Sequence, residues 1–194
     1  ACGCESQSRV ETIQISGATM GTTWSLSLLP APGGTDPVTL KTLLQQRLDQ
    51  INSLMSTYDP DSEISRFNRH SSSDWFAISS ETAQVIALSL QISQLTAGAF
   101  DISVGPLVEL WGFGASQRGE HIPSDEQVQA QLAQVGYEHL QLRHRPAAIK
   151  KQLPQLRIDL SAIAKGYAVD ALKAILIQQG VNNFLLEVGG EMQI

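Results

Sequence analysis

Between Val38 and Ser56 the residues Leu40, Leu43, Leu44, Leu48, Ile51, Leu54 and Met55 recur at three- and four-residue steps. That spacing lines one face of a long helix, and a stripe of this kind has to be buried against a second layer. The segments before it follow a different period. Val10 to Ile15 and Thr23 to Leu28 alternate apolar with polar residues, placing Ile13, Ile15, Trp24, Leu26 and Leu28 on the apolar side. Period two predicts a pair of strands, joined through Gly17 to Gly21. The run from Pro30 to Pro37 reads as a linker. A second helix is predicted from Ser80 to Thr96, with Val85, Ile86, Leu88, Ile92 and Leu95 inward. A third opens at the capping-box spacing Ser124-Asp-Glu-Gln127 and runs to Gly136. Leu156 to Leu160, Ala162 to Gln179 and Asn183 to Val188 read as strand, helix and strand, with Gly180 ending the helix. A further strand begins at Glu191, after Gly189-Gly190. Strands that pair as neighbours as well as around helices make the predicted class α+β, with mixed β-sheets and packed helices.

Composition narrows the function classes. Hydrophobic residues are 42% of the 194 and charged residues 16%, which argues against wholesale disorder. Thirteen Lys+Arg against 19 Asp+Glu give a formal charge of −6, so the basic excess of a nucleic-acid groove is missing and no nucleic-acid partner is expected. No apolar run approaches the roughly 20 residues of a membrane-spanning helix. The two cysteines, Cys2 and Cys4, both lie in the first four residues. No thiol nucleophile or cysteine-based metal site is therefore available to the body of the chain. The start Ala-Cys-Gly-Cys-Glu-Ser-Gln-Ser resembles the end of a bacterial lipoprotein signal, in which a small residue precedes the cysteine that carries the lipid. It also fits a chance cysteine pair or a vector remnant. On the lipoprotein reading, residues 1–8 are a tether and residues 9–194 the functional domain.

Four segments carry the candidate chemistry. In Gly17-Ala-Thr-Met-Gly-Thr-Thr-Trp24, glycines allow close backbone approach and threonine hydroxyls can bond a polar ligand. In Ser56 to Asn68, Asp61 or Ser62 caps a short helix with Ile64 and Phe67 inward, and Tyr58 is placed to stack on a flat ligand. In Thr96 to Gly114, small residues precede Phe100-Asp101, an aromatic beside a carboxylate, and Gly105-Pro106 opens a short helix ending at Gly112. In Arg157 to Asp170, Asp159 ends a strand and Lys165 lies in the first turns of a helix, whose unpaired N–H groups favour phosphate. No Gly-x-x-x-x-Gly-Lys-Ser/Thr run and no Gly-x-Ser-x-Gly elbow is present. His70, His121, His139 and His144 lie in polar stretches without ligand spacing and are expected to be solvated. Each segment also has a purely structural reading as hairpin, capped loop or helix start. As a set they describe a nucleotide site.

Taken together these motifs resemble the ApbE family of FAD:protein FMN transferases. The resemblance rests on Ala18 to Trp24, Met55 to Asn68, Gly98 to Gly114, Ile158 to Asp170 and Glu187 to Glu191, in family order along nearly the whole chain. It implies an exported enzyme, anchored to the inner membrane on its periplasmic side as a lipoprotein. Such an enzyme splits FAD with Mg²⁺, passes FMN to a threonine hydroxyl of a target protein and releases AMP. The implied targets are subunits of sodium-pumping NADH:quinone oxidoreductase or of Rnf-type complexes. The resemblance also implies that Met20, Tyr58, Ala99, Phe100, Asp101, Asp159 and Lys165 contact FAD, and that the Ala162 carbonyl ligates the metal. It assigns no catalytic side chain here. Family members continue beyond Ile194 with further metal ligands, so the chain as given is expected to be inactive unless a second segment completes it. The alternatives are an FAD pyrophosphatase releasing FMN and AMP, a non-catalytic FAD-binding lipoprotein, and an interaction domain whose motifs serve only folding.

Overall fold

The computed structural model describes residues 12–30, 36–115 and 122–194. Its elements in chain order are β1 (Ile13–Thr19), β2 (Thr22–Leu28), α1 (Pro37–Met55), α2 (Glu63–Arg69), β3 (Phe76–Ala77), α3 (Ser80–Leu95) and α4 (Gly105–Leu110). There follow α5 (Asp125–Leu132), β4 (Leu140–His144), β5 (Ala147–Lys151), α6 (Ser161–Gln178), β6 (Phe184–Val188) and β7 (Glu191–Gln193). Helices and antiparallel sheets coexist, as the two periodicities require. The chain divides into two units, one of residues 1–49 and 165–194 and the other of residues 50–164. Cys2, Cys4, His121 and most of the linker after Pro30 lie outside the described residues.

The first unit is built on a four-stranded sheet in the order β1-β2-β6-β7. Its hairpin turn is tighter than the sequence reading, because Gly17, Ala18 and Thr19 belong to β1. Only Met20 and Gly21 turn the chain, both with positive φ (48° and 71°), the two-residue geometry that suits the twist of paired strands. Register follows: Gly17 faces Trp24 across the ladder, and Trp24 faces Val188. Trp24 is fully buried and donates its indole N–H to Gln45 Oε1 at 2.9 Å, while Gln45 Nε2 donates to the Ala18 carbonyl at 3.1 Å. A single α1 side chain thereby pins both strands. Gly17 has to be glycine for this contact, since a Cβ there would clash with Trp24 Nε1 and stand 2.6 Å from Gln45 Oε1.

The second unit has a three-stranded sheet, β3-β5-β4, that the sequence reading did not anticipate. Its hairpin residues are crowded with Arg, His and Lys, which hid the alternation. The cap of α2 is Ser62, whose hydroxyl accepts the Ser65 N–H at 3.0 Å, and Ile64 and Phe67 are buried as expected. Glu63 is buried and accepts from Ser79 N (2.7 Å) and Ser79 Oγ (3.0 Å), tying α2 to the start of α3. In α3 the inward face is Thr82, Val85, Ile86, Ser89 and Ser93, whereas Leu88 and Leu95 are exposed. Ser89 and Ser93 tolerate burial because their hydroxyls donate to carbonyls one turn back. The capping box at Ser124 is present, and α5 ends at Leu132. His70 is half-buried rather than solvated: its ring lies 5.3 Å from Phe76, and its buried Nε2 has no hydrogen-bond partner among the described residues.

The expected strand from Leu156 to Leu160 is replaced by one parallel bridge, Val104 to Arg157. The backbone there is claimed by other partners, including a side chain described below. Replacing Gly17 with Ala should lower the unfolding free energy by about 1–3 kcal/mol, through overpacking against the Trp24 ring and loss of its hydrogen bond. A urea titration followed by tryptophan fluorescence reads the change; an unshifted midpoint contradicts the close approach.

Candidate functional site

The cavity of interest lies in the second unit and begins where α3 ends. Ala97 (φ 51°) and Gly98 (φ 83°) reverse the chain after Thr96, and the Thr96 hydroxyl accepts the Phe100 N–H at 3.1 Å. Small side chains and the φ-tolerant glycine leave Ala99 and Phe100 at the surface of the turn. Asp101 then points its carboxylate back into the structure. Its Oδ1 accepts from Ser103 N at 2.7 Å and its Oδ2 from Tyr137 N at 2.9 Å. Ser103 Oγ adds a 2.7 Å acceptance from Gly136 N, so two adjacent side chains hold the 136–137 turn. Asp101 is thus a structural clasp before it is a ligand contact.

Asp159 is held by its own backbone: its N–H donates to the Ile102 carbonyl at 2.8 Å. Its Oδ1 accepts the Ser161 N–H at 2.7 Å, the side-chain turn that launches α6. Ser161 and Ala162 are exposed at the start of that 18-residue helix, where amide N–H groups lack carbonyl partners and the helix dipole is positive. Tyr58 is 58% exposed, and its hydroxyl donates to the Phe113 carbonyl at 2.8 Å. A cavity of about 430 Å³ brings Tyr58, Ala99, Phe100, Asp101, Asp159 and Ala162 together. A second groove of about 360 Å³ shares Tyr58, Val108 and Asp159 with it and is bordered by Arg69, Glu109 and Arg157.

The other two expected residues, Met20 and Lys165, belong to the first unit. Met20 is half-buried in the β1–β2 turn. Lys165 Nζ donates to the Gly189 carbonyl at 3.4 Å. A Cβ on Gly189 would lie 2.7 Å from Thr22 Cγ2 and 2.9 Å from Lys165 Cδ, and Gly189 also has a φ of 55°. The glycine pair after β6 therefore lets the chain turn directly against Thr22 and the lysine stem. Glu187 steadies that turn by accepting from Gly190 N and, at 3.4 Å, from Ser25 Oγ.

Two residues without an assigned role in the sequence reading complete the picture. Asn68 donates its Nδ2 to the Ile158 carbonyl and accepts the Ile158 N–H at Oδ1, both at 2.8 Å. A side-chain amide thus substitutes for a strand partner on the residue before Asp159, which is why no strand forms there. Lys151, at the end of β5, is 1% exposed. It donates to the Leu156 carbonyl at 2.9 Å, to Asn68 at 3.4 Å and to Phe67 at 3.5 Å, with its ammonium 5.1 Å from the centre of the Phe67 ring. Burial, and secondarily the charge of Arg157, lowers its pKa from 10.5 to about 8. The inward direction of Lys151 could have been suspected only by placing Ala148 and Ile149 on a buried strand.

The donor set does not build a magnesium site by itself. Among the described residues no three His, Cys, Asp or Glu side chains cluster for a metal. Ala162 could offer one carbonyl, but a carbonyl in the first turn of a helix already accepts an N–H four residues on. Both Asp101 oxygens and one Asp159 oxygen accept backbone N–H groups. Mg²⁺ requires near-octahedral oxygen ligation, which these groups do not supply.

A family model described as the ApbE family matches residues 20–194. The chain belongs to the ApbE family. Relatives named FAD:protein FMN transferase include that of Vibrio cholerae, 43% identical over 99% of this chain and 56% of the relative. That of Escherichia coli is 40% identical over 94% of this chain and 52% of the relative. Among solved structures, the flavin transferase ApbE of Vibrio cholerae superposes with a TM-score of 0.91 at 43% identity, covering 95% of this chain and 59% of that one. The apo flavinyl transferase ApbE of Pseudomonas stutzeri gives 0.89 at 31% identity, over 97% and 62%. The chain thus spans little more than half the length of these ApbE relatives.

Two outcomes test this description. Asp101→Ala should destabilise the protein by about 2–4 kcal/mol, because two N–H groups lose a charged acceptor. Hydrogen exchange at the Tyr137 amide should rise in parallel; unchanged protection there removes the clasp. Lys151 binds fewer protons in the folded than in the unfolded state between its two pKa values. Stability should consequently gain an upward slope from about pH 8 to 10.5, lost as pH falls through 8, that Lys151→Met flattens in urea titrations across that range.

Proposed function

We propose that this chain contributes the FAD-binding part of an FAD:protein FMN transferase. The observation that carries the reading is the cavity where Tyr58, Phe100, Asp101 and Asp159 meet the exposed start of α6. Tyr58 and Phe100 offer aromatic faces for a flat heterocycle. The positive end of α6, exposed at Ser161 and Ala162, favours a phosphate group. The family resemblance supports FAD contacts from Met20 and Lys165 as well, the lysine bringing a full positive charge for the doubly charged pyrophosphate. The cavity volume lies in the usual range for small-molecule sites.

In the proposed reaction the oxygen of an acceptor threonine attacks the FMN-side phosphorus. The new P–O bond forms as the P–O bond to AMP breaks, the hydroxyl proton passes to solvent water, and AMP leaves with the bridging oxygen. This chain's residues bind and orient FAD and neutralise charge, which is most of what phosphoryl-type transfer asks of a protein. Mg²⁺, implied by the family resemblance, would supply Lewis acidity. Ala162 would offer it at most one ligand, through its backbone carbonyl. From the same resemblance we take the acceptors to be subunits of NADH:quinone oxidoreductase or Rnf-type complexes. The resemblance likewise supports residues 1–8 as a lipoprotein tether on the periplasmic side, with residues 9–194 as the flavin-transferase domain.

Incubation of a full-length enzyme carrying this chain with FAD, Mg²⁺ and an acceptor protein should give covalently flavinylated acceptor and equimolar AMP, whereas the chain by itself should give neither. FMN and AMP with no labelled acceptor would favour hydrolysis, and FAD recovered intact from a tight complex would favour mere binding. Lys165→Ala should weaken FAD binding about tenfold or more, as expected for loss of a charge-assisted contact. Tyr58→Ala, which loses stacking, should weaken it less. Flavin fluorescence titrations measure both, and unchanged affinity in Lys165→Ala would take that residue out of the site.

A further inference from the structure

Lys151 is a fully buried cation whose hydrogen bonds run to three backbone carbonyls. Two of these, Phe67 and Asn68, belong to the last turn of α2, and the third is Leu156, two residues before Ile158. The ammonium therefore binds the end of α2 to the segment that leads into Asp159. Asn68 is at once a carbonyl acceptor for Lys151 and, through its side chain, the clamp on both polar groups of Ile158. Asp159 then bonds to Ile102, next to Asp101. One chain of contacts thus runs from Lys151 through Asn68 and Ile158 to the two carboxylates that border the cavity. A double amide-to-backbone bond tolerates little change in spacing. Removing the ammonium leaves the Leu156 carbonyl without a donor and the α2 end free to shift against the 156–158 segment.

We propose that Lys151 is a positioning residue for flavin transfer, acting through the Asn68 clamp to set the Asp159 carboxylate and the first turn of α6 at the FAD cavity. It touches neither the cavity nor the substrate; its effect passes through Asn68. The inference rests on the transferase reading given above.

The test is a double-mutant cycle in a full-length enzyme carrying this chain, supplied with FAD and Mg²⁺. It compares Lys151→Met, Asn68→Ala and the double variant for turnover, FAD affinity by flavin fluorescence, and thermal stability. Each single variant is expected to lose about tenfold or more in kcat, the penalty of a misplaced first turn. The double variant should be no slower than the worse single one, because both cut the same chain of contacts. The KM for FAD should move less than kcat. Losses that multiply, or full turnover in folded Lys151→Met, would overturn the proposal. Should Lys151→Met fail to fold, Lys151→Gln keeps a donor at the site. It should recover part of the rate with the same non-additivity toward Asn68→Ala, and independent effects in that pair would overturn the proposal equally. A wild-type full-length enzyme that never flavinylates its acceptor defeats the transferase reading instead, before any variant is compared.

Discussion

The candidate site depends on the paired hydrogen bonds between the Asn68 side chain and the backbone of Ile158. A segment with apolar residues at 156, 158 and 160 has the pattern of a strand, and a strand needs partners for every backbone donor and acceptor. The structure satisfies Ile158 with an amide side chain and Asp159 with the Ile102 carbonyl, leaving a single bridge at Arg157. The segment is consequently extended without being part of a sheet. It delivers Asp159 to the cavity edge and starts α6 two residues later.

Both acidic residues at the cavity do conformational work first. Asp101 accepts from two backbone N–H groups and Asp159 from one. Hydrogen bonds to a charged acceptor are stronger than neutral ones, so each carboxylate fixes its own loop while remaining at the cavity surface. That economy explains how a site made largely of turns can be well defined. It also accounts for the absence of a self-contained magnesium shell among the described residues: the carboxylate oxygens a cation would need are mostly committed to the backbone.

Parts of the fold were legible from one sequence because their signals are local. The stripe of α1, the Ser62 and Ser124 caps, the β1–β2 pair and the helix stop at Gly180 each follow from neighbours a few residues apart. The β3-β5-β4 sheet was not legible, since basic residues interrupt its alternation and its core contacts come from distant helices. Leu88 and Leu95 misled for a related reason. Hydrophobicity predicted burial, yet Ser89 and Ser93 take the inward positions by satisfying their hydroxyls within the helix.

For the site, the sequence by itself determined which residue types are available and in what order: aromatics, two carboxylates, a lysine near a helix start, and glycines where the chain must turn. That order is enough to place the chain in the ApbE family, because short motifs in fixed succession are a property of the chain alone. Only the tertiary structure decided that Tyr58, Phe100, Asp101, Asp159 and Ala162 border one cavity, and that Asn68 and Lys151 stand behind it. Those relations join residues as many as 104 positions apart, from Tyr58 to Ala162. They arise from the matching of backbone donors and acceptors in three dimensions, for which no periodicity in the sequence is a substitute.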